Sequence, residues 1–255
     1  MPASHMVRAE AALKAMAPRL HAWLEVLDAR APDATCIVRL RHLLERPRIT
    51  VLTHADLADE TVTRRWCKAL GEALVVDGRT GAGVANLKRR LRAFEPARSR
   101  PITLALVGVP NVGKSSLINR LAGERKAPTG AKPGLTRAPQ RVRPGSFEII
   151  DLPGLLPGKV SPLLVALGLA TPDAGDAGEA LAAIHDRLPR SGLAERYGER
   201  AGDAETAADL LDHVALARGL VLRGGRPDLE RALQMVLGDL RNGRLGRISF
   251  EVPEP

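Results

Sequence analysis

The stretch "GVPNVGKSS" has the spacing G-x-x-x-x-G-K-[ST], with its fixed positions at Gly108, Gly113, Lys114 and Ser115. Glycines in such a loop let backbone N–H groups curl around phosphate oxygens, and the lysine reaches the terminal phosphates. The serine hydroxyl suits Mg²⁺, and a helix that begins at the lysine adds the positive end of its dipole. We therefore predict a nucleoside-triphosphate site whose contacts in this stretch are Asn111, Val112, Gly113, Lys114, Ser115 and Ser116.

Two later segments contain further candidates for the same site. Asp151 ends an apolar stretch in "IIDLPGLL", where a carboxylate suits a contact to Mg²⁺ and the Gly154 N–H suits a γ-phosphate. Thr136, in "TGAKPGLTR", could give Mg²⁺ a second hydroxyl from a switch loop. A plain turn and an ordinary surface threonine are the alternative interpretations. The predicted metal ligands are Ser115, Thr136 and Asp151.

The stretch "VLTHADLAD" resembles a guanine-recognition loop, N-K-x-D, with two letters changed. The Asp56 carboxylate can accept from the ring N–H and the amino group of guanine together, an arrangement that adenine cannot satisfy. Thr53 replaces the asparagine, and its hydroxyl can make one of that residue's two bonds. His54 replaces the lysine and can stack on a purine. Gly78, in "DGRTGAG", can still donate its backbone N–H, although a degenerate loop without base selectivity remains the alternative.

The motifs occur in an unusual order. Ras-like GTPases run from the phosphate loop through the switch threonine and D-x-x-G to base recognition, whereas here the base loop comes first. A circular permutation explains this order, because it only moves the chain ends between exposed loops. The interpretation predicts an α/β fold, a circularly permuted Ras-like P-loop GTPase domain.

The elements that must position these loops alternate between strands and helices. We predict strands at "AWLEVLD", "RITVLT", "ALVVD", "PITLALVGV" and "SFEIID", and a single helix at "TCIVRLRHLLE". Such alternation implies a mostly parallel sheet covered on both faces. The pattern then changes, which predicts a GTPase domain at residues 1–160, a linker at 161–176 and a small all-α domain at 177–255. Only "RISFEV" reads as a short strand in this last part.

Composition narrows the function classes. A net charge of +9 and a pI of about 10.3 suggest a polyanionic partner, with a solvated basic surface as the alternative. No apolar run approaches the ~18 residues of a membrane span, and no signal core is evident, so we predict a cytoplasmic protein. Cys36 and Cys67 are too few for a disulfide framework or a zinc site.

Taken together, the motifs resemble the RbgA/YlqF family of circularly permuted ribosome biogenesis GTPases. "PASHMVRAE" is similar to the family's P-G-H-M-x-K-A, and "EVLDARAP" is similar to its V-L-D-A-R-x-P strand. "GVPNVGKSSLINRL", "KPGLTR", "DLPGLL" and the C-terminal segment from "RGLVLRGGRPD" onward match closely. The resemblance implies a GTP-binding and hydrolysing protein that docks on the large ribosomal subunit late in its assembly.

Hydrolysis should be slow without a partner. Leu155 and Leu156 occupy the place of the glutamine that orients water in Ras-like enzymes, and an apolar side chain cannot do so. The resemblance assigns that role to His5, whereas an exposed terminal histidine or a cloning remnant is the alternative. Asn111 resembles the asparagine with which some related GTPases use K⁺, although a loop-stabilising amide explains it equally well.

The C-terminal arginines are the predicted contacts to ribosomal RNA. Arginine forks suit phosphates, and a chain with 2% aromatic residues has little capacity for base stacking. The predicted set is Arg223, Arg226, Arg231, Arg241, Arg244 and Arg247. We expect a monomer. The other function classes left open are a ribosome-binding module with negligible hydrolysis and a P-loop ATPase or kinase.

Overall fold

A computed structural model describes residues 4–94, 101–123, 140–142, 147–151, 155–156, 160–171 and 176–254, without the side chains of 4–9, 140–142, 151 and 176. The chain divides into two units. The first contains Met1–Lys159 together with Glu251–Pro255, and the second contains Val160–Phe250. None of the described helices is long and apolar enough to cross a membrane.

The first unit contains a six-stranded sheet. Its strands are β1 (Ala22–Asp28), β2 (Arg48–Thr53), β3 (Leu74–Val75), β4 (Ile102–Val107), β5 (Gln140–Val142) and β6 (Phe147–Asp151). The spatial order is β3-β2-β1-β4-β6-β5, and all pairs are parallel except β5 with β6. Every residue of β1 is buried, as expected for a central strand covered on both faces. The predicted α/β sheet is confirmed.

The helices described in this unit are α1 (Ser4–Met16), α2 (Pro32–Thr35), α3 (Val38–Leu43), α4 (Glu60–Ala69), α5 (Val84–Arg92) and α6 (Lys114–Ala122). Asp59 caps α4 by accepting from the backbone N–H of Val62 at 2.8 Å. The predicted single helix at "TCIVRLRHLLE" is wrong. Cys36 adopts an extended backbone, with ψ of 133°, and separates α2 from α3.

The sheet order explains how a permuted chain can build the site. Parallel strands point their carboxyl ends to one edge, and ligands of α/β sheets bind at that edge. The loops that follow β1, β2, β3 and β4 therefore converge there, whatever their order along the chain. The base loop follows β2, "DGRTGAG" follows β3 and the phosphate loop follows β4.

The second unit is helical over its described residues. Its helices are α7 (Pro162–Ala166), α8 (Asp176–Ile184), α9 (Arg190–Tyr197), α10 (Glu199–Gly202), α11 (Ala207–Ala217) and α12 (Leu229–Arg241). Thr206 and Asp209 form a capping box at the start of α11. The predicted linker at 161–176 is wrong in part, since α7 lies within it and Leu163 and Leu164 are buried.

The end of the chain also differs from prediction. The residues of "RISFEV" form no strand, and Glu251–Pro255 group with the first unit. The Glu251 carboxylate accepts the backbone N–H groups of Asp33 and Ala34 in α2, at 2.7 and 3.1 Å. The indole of Trp66 donates to the Glu251 carbonyl at 3.1 Å. Individual hydrogen bonds, and not strand pairing, therefore hold this C-terminal segment.

Candidate nucleotide-binding site

The phosphate loop follows β4 and leads into α6. A Cβ on Gly108 would lie 2.5 Å from the carbonyl oxygen of Val26, so only glycine allows this approach to β1. Gly113 has a φ of 97° and immediately precedes the helix. Lys114 is buried, and its Nζ donates to the carbonyl oxygens of Gly108 and Val109 at 3.0 and 2.8 Å. The ammonium of Lys114, at the end of the loop, thereby binds the backbone at the start of the loop.

Thr53 ties the base loop to the phosphate loop. Its hydroxyl lies 2.7 Å from the carbonyl oxygen of Val112 and 3.0 Å from that of Leu27, and the residue is buried. One hydroxyl has one proton to donate, and the shorter distance favours Val112 as its acceptor. The threonine therefore makes one of the two bonds expected of the asparagine that it replaces.

The loop after β3 also packs against the phosphate-binding helix. A Cβ on Gly78 would lie 2.7 Å from the Cβ of Ser116 in the first turn of α6. Arg120, one turn further along α6, donates to the carbonyl oxygen of Gly78 at 3.0 Å and also to that of Arg79. The structure thus brings Gly78 and Ser116 together, and Arg120 was missed because nothing in its sequence context marks it.

Asp77, the first residue of "DGRTGAG", stabilises its own turn. Its carboxylate accepts from the backbone of Arg79 at 2.6 Å and from the hydroxyl of Thr80 at 2.6 Å. Burial opposes the charge, but the bonds from Thr80 and the loop backbone hold the pKa of Asp77 below its ordinary value. Arg79 also approaches Asp56, with 3.6 Å between nitrogen and oxygen. Asp56 and the loop after β3 are therefore neighbours.

His54 is held by a carboxylate from the neighbouring strand. Its Nδ1 lies 3.0 Å from Oδ2 of Asp28, at the end of β1. The backbone φ of His54 is 54°, a left-handed conformation that few non-glycine residues adopt. Asn111, in the phosphate loop, has a similar φ of 56°. Strained residues of this kind concentrate at functional sites, which fits the loops in which both lie.

Four of the predicted residues lie outside the described residues or have side chains that are not described. Thr136 and Gly154 lie outside the described residues. His5 lies in α1 and Asp151 ends β6, but their side chains are not described. The backbone still locates Asp151, because it pairs in register with Leu106 one residue before the end of β4. The segment after it returns to the same loop, as the Leu155 N–H donates to the Gly108 carbonyl at 3.3 Å.

Comparison with known proteins identifies the family. A family model described as "50S ribosome-binding GTPase" matches residues 103–190, which begin at β4 and exclude the base loop. Ribosome biogenesis GTPase A of Bacillus cereus is 31% identical, with 98% of this chain and 92% of that protein covered. The chain belongs to the ribosome biogenesis GTPase A family. The protein of the same name from Thermotoga maritima is 30% identical, with coverage of 98% and 93%.

Two solved structures are similar to this chain over nearly its full length. GNP-bound YlqF from T. maritima matches with a TM-score of 0.66 and 26% identity, covering 97% of this chain and 99% of that one. A GDP-bound YlqF matches with a TM-score of 0.64 and 27% identity, covering 96% and 100%. The circularly permuted GTPase predicted from the order of the motifs is confirmed. Membership in a family of GTPases also favours GTP hydrolysis over the two alternative classes.

The predicted RNA-contacting arginines of this GTPase fall into two groups. Arg241 donates to the carbonyl oxygens of Ala166 and Val165, at 2.8 and 2.9 Å, and so holds the end of α7. Arg244 pairs with the buried Asp239 at 2.9 Å. These two have structural contacts that the sequence did not predict. Arg223, Arg226, Arg231 and Arg247 are exposed, and the Arg231 Nε lies 4.0 Å from Oδ2 of Asp228.

Proposed function

We propose that this GTPase acts on the large ribosomal subunit, binding GTP at the edge of the permuted sheet and contacting ribosomal RNA through its second unit. The observation that supports the nucleotide part most strongly is the bond between Thr53 and Val112, because it joins base recognition to phosphate binding. Two loops that are 59 residues apart in the chain are thereby joined at one site.

In this proposal each loop has a separate task. The Asp56 carboxylate accepts from guanine, and the Gly78 N–H donates to the base from the other side. The glycine-rich backbone and Lys114 bind the phosphates at the start of α6. His54 covers the purine in place of a lysine stem. Thr53 supplies one bond where an asparagine supplies two, so we expect faster nucleotide release than an intact N-K-x-D loop would give.

We further propose that Mg²⁺ accompanies the nucleotide. The Ser115 hydroxyl stands in the first turn of α6, and the end of β6 at Asp151 lies beside β4, which feeds the phosphate loop. A hydroxyl and a carboxylate are hard oxygen donors that fit Mg²⁺, and Thr136 is a third candidate. No group of three or more His, Cys, Asp or Glu side chains that could hold a metal occurs among the described residues. A shared site with the nucleotide phosphates is consistent with this finding. When bound, the ion would neutralise charge that develops on the phosphates.

Slow intrinsic hydrolysis is a further part of the proposal. Leu155 is buried and Leu156 is half-buried, so neither offers a polar group to orient water. We infer that His5 supplies this group when the large subunit is bound. His5→Ala should abolish stimulation of GTP hydrolysis by large subunits while leaving GDP binding unchanged. His42→Ala, at an exposed histidine of α3, is the matched control, and equal stimulation of both variants would reject the role.

The RNA surface is best tested at arginines without a structural contact to backbone carbonyls. Arg223 and Arg226 lie in the exposed turn between α11 and α12. Replacing both by alanine should weaken large-subunit binding and reduce the slope of log affinity against log salt by about one unit per lost phosphate contact. Arg200→Ala, at another exposed position of this unit, is the control. An unchanged salt slope in the double variant would contradict the proposed contacts of Arg223 and Arg226 with RNA.

The proposal extends to location and assembly state. A factor for ribosome assembly in bacteria works in the cytoplasm, and we expect this chain to act there as a monomer. K⁺ is a second candidate ion, through Asn111. Comparing hydrolysis rates in KCl and NaCl decides between an ion-binding amide and one that only stabilises the loop.

A further inference from the structure

A buried ion pair lies directly beneath the base loop. Asp28, at the end of β1, has no solvent exposure, and its carboxylate receives the Nε and Nη2 of Arg30 at 3.0 and 2.8 Å. The backbone N–H of Arg30 donates to the same carboxylate at 2.9 Å. The His54 ring then approaches Oδ2 at 3.0 Å. A single carboxylate therefore holds both a guanidinium and an imidazole.

Stability alone does not explain why this ion pair is buried. A charge out of water is costly unless it is fully paired, and apolar replacements of buried pairs are often neutral. Burial disfavours the ionised form of Asp28, but Arg30 and His54 together hold its pKa well below the ordinary value. The carboxylate is therefore a fixed negative charge at the site, and it can orient a neighbouring ring.

Arg30 also connects this charge to the guanine-reading carboxylate. Burial opposes its charged form, yet Asp28 by charge and hydrogen bonding, and Asp56 by charge, raise the pKa of Arg30. The Nη1 of Arg30 is buried and has no hydrogen-bond partner within the described part of the chain. The guanidinium is thus bonded to Asp28, and the charge of Asp56 also favours its protonated form.

His54 is the group that this arrangement fixes. Its left-handed φ of 54° costs energy that a specific contact must offset. The imidazole is 30% exposed, so one side meets the carboxylate while part of the ring stays accessible. Because a carboxylate only accepts, the bond requires a proton on Nδ1. The contact therefore sets both the orientation of the ring and the nitrogen that carries hydrogen.

We propose that Asp28, locked by Arg30, is a positioning residue of the base site that holds the His54 ring in place to cover the purine. The inference rests on the proposed function of residues 53–56 as the guanine loop. It gives Asp28 and Arg30, the charged residues of "LDAR", a role that the sequence motif did not indicate. In this orientation the imidazole covers the purine, as the apolar stem of the usual lysine would.

A double-mutant cycle on nucleotide binding tests the proposal. His54→Ala and Asp28→Asn should each weaken GDP binding about tenfold, as expected for loss of a charge-assisted contact. In the His54→Ala background, Asp28→Asn should add less than about twofold, because the ring that it positions is gone. Fully additive losses of GDP affinity would overturn the proposal, because Asp28 would then contribute to binding independently of His54.

A rescue variant and a ring measurement complete the test. His54→Lys places an N–H donor opposite Asp28 and should recover most of the GDP binding that His54→Ala loses, whereas a loss equal to that of alanine would contradict the role of Asp28. Nitrogen-15 NMR of the unmodified chain, with the His54 signal assigned by its loss in His54→Ala, should show a protonated Nδ1. An unprotonated Nδ1 would overturn the proposal even where Asp28→Asn fails to fold.

The same data separate this inference from the proposed function. If the unmodified chain binds neither GDP nor GTP, the guanine site itself is wrong, whatever the ring signal shows. If it binds GDP and the cycle is additive, the guanine site stands and the role of Asp28 is rejected.

Discussion

Replacing Thr53 by valine removes a single hydroxyl at the junction between the base loop and the phosphate loop. Valine has nearly the same shape, so the buried side chain keeps its volume while the carbonyl oxygen of Val112 loses its donor at 2.7 Å. Leaving a buried acceptor unsatisfied costs about 1–3 kcal/mol. For a chain of this size that cost lowers the melting temperature by roughly 2–4 °C per kcal/mol.

Thr53→Val should also release nucleotide faster than the original chain. The loop carrying Asp56 is preorganised by the tie to Val112, so we expect Thr53→Val to weaken GDP binding by about 1 kcal/mol, or roughly fivefold. Most of this change should appear as faster dissociation, because interface changes act mainly on off-rates. Stopped-flow release of a fluorescent GDP analogue measures it directly.

Thr53→Ser is the matched control, because it keeps the hydroxyl and removes only a methyl group. We expect its GDP release rate to stay within about twofold of the original chain. The reasoning is refuted if the valine variant releases GDP at the original rate while the serine variant releases it faster. Packing against the phosphate loop, and not the hydrogen bond, would then be what Thr53 contributes.

Three further predictions concern other parts of the chain. Burial and then the charge of Glu25 raise the pKa of the Cys36 thiol from 9.0 to about 11, so iodoacetamide should label it slowly at pH 8. Because this thiol ionises more easily in the unfolded chain, stability should not change below pH 9 and should fall as the pH rises from 9.0 to about 11. Asp239→Asn should lower the free energy of unfolding in urea by about 1–3 kcal/mol, whereas Asp212→Asn, at an exposed position, should not. Glu251→Ala should cost about 1 kcal/mol in the same assay, since it removes the cap on α2, and an unchanged midpoint would contradict that contact.

Much of the sheet could be predicted because its strands are central and apolar. β1, β2, β4 and β6 lie where largely apolar stretches predicted them. β5 was missed, since Gln140–Val142 is a three-residue edge strand whose two polar residues give no alternation to read. The break between α2 and α3 was also missed, because no glycine or proline marks the extended Cys36.

The site was predictable where a motif fixes the chemistry and unpredictable where contacts cross the sheet. The tie expected from Thr53 is present as a bond to Val112. The support of His54 by Asp28 joins residues 26 positions apart, and the hold of Arg120 on the loop after β3 joins residues about 40 apart. Asp28 and His54 follow neighbouring strands, whereas β3 and the β4 that leads into α6 are separated by two strands. No local pattern encodes either pair.

We propose that Asp56 reads guanine in a loop where Thr53 and His54 replace the usual asparagine and lysine. The most direct test measures dissociation constants for GDP, ADP and xanthosine diphosphate with the original chain and with Asp56→Asn. The original chain should prefer GDP over ADP by about a hundredfold or more, because adenine cannot offer the Asp56 carboxylate the two donors that guanine does. In Asp56→Asn the carboxamide can donate to the second carbonyl of xanthine, so the preference should move from GDP to xanthosine diphosphate. Equal binding of GDP and ADP by the original chain would contradict the account.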